Sequence, residues 1–134
     1  MTKGQKDSIE FISFLKNLEN LHEKSKNEKP YAMFFTGDFN AHSQTWYPEG
    51  DTNPEGVDLD NLFSDLYLTQ LISEPTYFMR DTCQPTYMDL IATDQPNLVL
   101  DSGVRDLLDG TVKHKIVICK INFKTQVLEE ILAF

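Results

Sequence analysis

Between Tyr31 and His42 the chain reads YAMFFTGDFNAH, an apolar run that stops at Gly37 and hands over to Asp38, Asn40 and His42 at alternate positions. An apolar run of this length, opened by Pro30, is the pattern of a β-strand of about 31–37 buried in a sheet. Successive side chains of an extended backbone point to opposite faces, so Asp38 and Asn40 are expected to project together from the strand's end. A carboxylate and an amide then share one pocket. Gly, Asp and Asn are also the residues of a plain turn, and on this stretch alone site and turn stand level.

The surrounding chain supplies elements for one domain. With 134 residues it is long enough for a modest core, and two domains are not expected. A first helix is read from a cap at Asp7 with Glu10 and from Phe11, Phe14, Leu15, Leu18 and Leu21 at helical spacing; His22 and the lysines after it read as its solvated end. Residues 43–56, with Pro48, Gly50, Pro54 and Gly56, read as a loop. A second helix follows, with Asp58 as its cap and Leu59, Leu62, Phe63 and Leu66 on one face. Further strands are expected near 87–93, 98–102 and 114–123, then a short C-terminal helical tail.

Charge and composition exclude several classes. Asp and Glu outnumber Lys and Arg by 21 to 12, giving a formal net charge of −9, which opposes loose binding to a phosphate backbone. No apolar run approaches a membrane span and the start, MTKGQKDS, has no apolar signal segment, so no membrane partner and a nuclear or cytoplasmic location are expected. Cys83 and Cys119 form no CxxC pattern and read as reduced structural thiols.

Two more stretches carry chemistry. In TYMDLIATDQPN one acid, Asp89, sits inside an apolar strand, where an ionised carboxylate needs a hydrogen-bonding partner or a neutralising proton. His114 opens the apolar strand HKIVICKINF and is a candidate for that partner. Asp89 as a satisfied core acid, and His114 as a plain strand residue, are the alternatives. His42 reads as a loop histidine or a phosphate contact, and Trp46 and Tyr47 as loop anchors or stacking surfaces.

GDFNAH, TYMDLIATDQPN and KHKIVICKINF, in that order, resemble the C-terminal half of the endonuclease domain of non-LTR (LINE-type, jockey-like) retrotransposons, within the endonuclease/exonuclease/phosphatase superfamily. The resemblance covers about 31–123. It implies an α/β fold of the DNase-like type, two sheets packed face to face with helices outside in four layers, of which this chain is a partial, C-terminal version with an N-terminal helix. It implies Mg²⁺-dependent (or Mn²⁺-dependent) nicking of DNA, with Asp38, Asn40, Asp89 and His114 catalytic, Asp38 on the metal, Asn40 and His42 on the substrate, and Asp89 orienting His114. The strand bearing the family's principal metal ligand, a Glu, is expected to lie outside this chain, and Lys113 stands where many relatives carry an acid. Half a sandwich leaves apolar sheet surface exposed, so self-association or a partner chain is expected. A catalytically silent binding module and a phosphoesterase acting on a small phosphate ester are the alternative functions.

Overall fold

In the computed structural model, residues 2–28, 31–78, 85–106 and 113–122 are described. The expected C-terminal tail and Cys83 lie outside them. Helix α1, Lys3–Asn27, begins earlier than Asp7 because Thr2 caps it: its side chain accepts from the Gln5 amide and the Gln5 side chain accepts from Thr2 N–H, a reciprocal capping box. Leu18 and His22, four residues apart, form the buried stripe of this helix, with Phe11 and Leu15 packed beside them, whereas Leu21 is 53 % exposed. His22 is therefore not at a solvated end. Only 6 % of it is accessible, and its ring lies 6.2 Å from that of Phe35.

Strand β1, Phe34–Asp38, starts later than Pro30 suggests and extends through Asp38. The loop after it is pinned from inside: Trp46 Nε1 donates to Ala41 O at 3.3 Å and the Tyr47 hydroxyl to Pro85 O at 2.9 Å, so both aromatics are buried anchors. Helix α2, Pro54–Asp65, is capped by Asn53, not Asp58. Proline at the first helical position has its φ preset and needs no partner for a missing N–H, and Asn53 Oδ1 accepts from Gly56 N at 2.7 Å. The same oxygen takes the His42 N–H at 2.9 Å, and Asn53 N returns a bond to His42 O. Loop and helix are thereby locked together.

A two-residue strand, β2, Thr69–Gln70, lies outside the strands expected from the sequence. It joins β1 and β3, Asp89–Thr93, in an antiparallel sheet of order β1-β3-β2. A short 3₁₀ turn leads into β4, Val99–Arg105, which pairs antiparallel with β5, Ile116–Ile121, as a second sheet. Leu90, Ile91 and Ala92 of β3 are all buried, so the central strand is covered on both faces, and β5 makes contact with it. Leu59 and Phe63 of α2, Phe39, Trp46, Ile72 and Val104 complete one continuous core. On the second sheet, Val117 and Cys119 pack on that core while Leu100 and Ile116 remain 60 % and 42 % exposed. Burial raises the Cys119 thiol above its ordinary pKa, which keeps it a protonated packing group.

Two substitutions separate crowded from open backbone. A Cβ on Gly56 falls 1.7 Å from His42 O, whereas on Gly37 it meets nothing within 4 Å. Gly56→Ala is expected to lower the denaturant midpoint markedly and Gly37→Ala to leave it nearly unchanged. Leu59→Ala, at a site with 0 % exposure, is expected to cost about 2–5 kcal/mol in the same experiment.

Candidate active site at the end of the first sheet

The register of β1 on β3 runs from Phe34 opposite Thr93 to Asp38 opposite Asp89. Residues directly opposite on an antiparallel pair share a face, so the last pair of the ladder places two carboxylates side by side. His114 closes the group. Its Nδ1 lies 2.9 Å from Asp89 Oδ2 and its Nε2 4.0 Å from Asp38 Oδ2. With its proton on Nδ1 the imidazole donates to Asp89, and Nε2 then faces Asp38 and solvent. Side-chain exposure grades from 17 % at Asp89 to 41 % at His114 and 48 % at Asp38. The inner acid is thus the partner of the histidine, and the outer acid is open to a ligand.

A segment that sequence reasoning missed holds this arrangement. Thr76, fully buried, accepts the backbone N–H groups of both Met88 and Asp89 on Oγ1 at 3.0 Å each. Its carbonyl takes Lys115 N–H at 2.8 Å. One residue thereby fixes the strand that bears the acid and the strand that bears the imidazole. Tyr77 bridges to both Thr86 and His114 along the backbone, and its ring lies 4.7 Å from the imidazole at 58°. Lys115 is held by Asp106 at 2.8 Å and lies over the Phe78 ring at 4.3 Å. The isolated threonine in EPTYF carries no periodic signal, and its role follows only from its position between two strands.

Asn40 and His42 are placed differently. The strand ends at Asp38 and Asn40 adopts φ 44°, so the alternation expected of an extended chain does not reach it. Instead Asn40 N–H donates to Asp38 Oδ1 at 3.2 Å, a local turn that orients the carboxylate and leaves the Asn40 side chain exposed next to it. His42 is bonded through its backbone to Asn53, and its ring is 6.5 Å from that of Tyr47. It is not one of the clustered metal-capable groups.

Among the described residues, Asp38, Asp89 and His114 form the group able to hold a metal, each offering one ligand atom, all within 4.8 Å of one another. The donor set fits a hard divalent cation through its carboxylates. The Asp89–His114 bond engages the inner pair with each other, so Asp38 is the oxygen free to take the ion.

The sequence profile of the endonuclease-reverse transcriptase family matches residues 5–118. No curated protein matches the chain. A solved structure, the endonuclease domain of TRAS1, a telomere-specific non-LTR retrotransposon, superposes with a TM-score of 0.67 over 82 % of this chain, at 22 % identity. The chain spans about half, 51 %, of that domain. The likeness establishes a mixed helix and antiparallel-sheet fold of that type.

Thr76→Val tests the support directly. It keeps the shape and leaves two part-buried N–H donors without this acceptor, and is expected to cost about 1–3 kcal/mol in chemical denaturation. The His114–Asp89 pairing, followed by the imidazole proton signal in NMR, is expected to loosen with it. From the profile match over most of its length, the chain belongs to the endonuclease-reverse transcriptase family.

Proposed function

We propose that this chain carries the phosphodiester-hydrolysing site of a retrotransposon endonuclease and nicks DNA with Mg²⁺ or Mn²⁺, acting in the nucleus or cytoplasm. The observation that supports it is the convergence of Asp38, Asp89 and His114 at one sheet end, with the outer carboxylate open and the inner one bonded to the imidazole. Asp38 is the residue to hold the cation, which when bound neutralises charge on the scissile phosphate.

The protein's own groups then divide the work. Asp38 accepts the proton of the attacking water, and the exposed Asn40 amide, held beside it by the turn, donates to a phosphoryl oxygen. Asp89 keeps a proton on His114 Nδ1 and orients the ring, and protonated Nε2 donates to the oxygen on which negative charge develops. The bond from phosphorus to the leaving oxygen breaks as the bond to water's oxygen forms. His42 serves the loop that carries Asn40 and adds a phosphate contact in this reading.

A second reading, a silent binding module, draws on Lys113, an exposed cation immediately before His114 that opposes a divalent ion. The net charge of −9 favours it as well.

Relaxation of supercoiled plasmid in Mg²⁺ or Mn²⁺ separates these. Nicking by the folded wild-type chain that falls about a hundredfold or more in both Asp38→Asn and His114→Gln is the expected result. No nicking by folded protein overturns the nuclease reading. Cleavage of bis(p-nitrophenyl) phosphate without nicking identifies a small-ester phosphoesterase.

A further inference from the structure

We infer that Tyr77 is a positioning residue of the candidate active site: its ring holds the His114 imidazole in the plane and tautomer that direct Nε2 toward the side of Asp38. This rests on the proposed hydrolysis for its kinetic consequence alone, because the ring contact belongs to the geometry.

The place of the ring follows from the backbone. Tyr77 N–H donates to Thr86 O and Tyr77 O accepts from Thr86 N–H, both at 3.0 Å, so both of its main-chain groups are taken by one neighbour. On its other side the bonds fall at the flanking residues: Lys115 N–H reaches Thr76 O and Phe78 N–H reaches Lys113 O, each at 2.8 Å. Tyr77 and His114 are therefore the antiparallel pair between two ladder bonds, opposed without a bond of their own. Pairs of this kind bring their side chains closer together than hydrogen-bonded pairs do. The tyrosine ring accordingly lies 4.7 Å from the imidazole, tilted at 58°.

The imidazole needs this second constraint. Its side chain is 41 % exposed, and Nδ1 meets Asp89 Oδ2 at 2.9 Å. One such bond fixes a point and not a plane, and water competes for the same carboxylate. Nε2 lies 4.0 Å from Asp38 Oδ2, beyond hydrogen-bond reach, so Asp38 does not hold the ring. The aromatic side chain supplies the plane. Its contact covers part of the imidazole against water and bars rotation toward it, which favours the bond to Asp89 and with it the proton on Nδ1. The ring and not the phenolic hydroxyl makes the contact, so phenylalanine is expected to serve in its place.

Tyr77→Leu and Tyr77→Phe, in the whole chain, separate positioning from packing. Long-range proton–nitrogen correlation spectra of the neutral imidazole are expected to show His114 protonated on Nδ1 in the wild type and in Tyr77→Phe. Tyr77→Leu is expected to show a mixture of the two tautomers. In the nicking assay Tyr77→Leu is expected to lower kcat about tenfold with KM within about twofold, and Tyr77→Phe to recover most of that loss. Tyr77→Val, whose branched side chain suits a strand, takes the place of the leucine variant if that one does not fold. In the unmutated chain a nuclear Overhauser contact is expected between the Tyr77 ring and the carbon-bound protons of the His114 ring, and its absence overturns the assignment. A folded aliphatic variant that keeps the Nδ1 tautomer overturns it too, as does a phenylalanine variant that fails to restore it. A wild-type chain that does not nick overturns the nuclease reading alone, because tautomer and Overhauser contact are read without turnover.

Discussion

Everything that distinguishes this chain hangs on the register of one antiparallel pair. A slip of a single residue between β1 and β3 would send Asp89 to the other face and break its apposition with Asp38. The register is clamped at both ends. Beyond Asp38, Phe39 N–H bonds to Met88 O at 2.8 Å, and before Phe34 the Asp94 carboxylate takes the Met33 N–H at 2.7 Å. Leu90 and Ala92 have no accessible surface, so a slip would also have to repack the close-packed side chains around both. Two carboxylates side by side repel one another, and the pairing is tolerable because the histidine lies between them and the outer acid remains solvated.

The imidazole, in turn, depends on a part of the chain with little regular structure. Thr76 and Tyr77 belong to no named strand, yet their backbone joins the Thr86 segment to the one that begins at His114. A hydroxyl serves here because it accepts two N–H groups at once in a fully buried position, which an apolar residue of the same shape cannot do. The cluster is thus built on a rigid pair of strands for its carboxylates and on a crossing segment for its imidazole. The Tyr77 ring against the imidazole restricts the remaining freedom of the side chain.

How much of this the sequence discloses varies with the range of the interaction. Apolar runs and helical spacing mark α1, α2, β1, β3, β4 and β5, because those patterns are local. The acid in an apolar strand announces a partner, and Asp89 finds it in His114. Asp58 reads as a cap by its charge, but Pro54 fixes the start of the helix one residue after Asn53, which is the cap. A histidine followed by lysines looks solvated, and only the position of Leu18 one turn before His22 shows that it faces the core. β2 and Thr76 are not legible at all, since a two-residue strand and a lone hydroxyl leave no period to detect.

At Asn40 the residues grouped by a motif are held together by a local geometry other than strand alternation. The expectation that it shares a face with Asp38 came from an extended backbone, whereas the chain turns at φ 44° immediately after the strand. The turn still keeps the two residues together, by a hydrogen bond from the Asn40 amide to the Asp38 carboxylate instead of by strand alternation. Asparagine tolerates the left-handed conformation better than most residues and carries an amide besides. One residue type therefore meets the backbone's demand and keeps a polar side chain exposed beside Asp38, whereas glycine would keep only the backbone freedom.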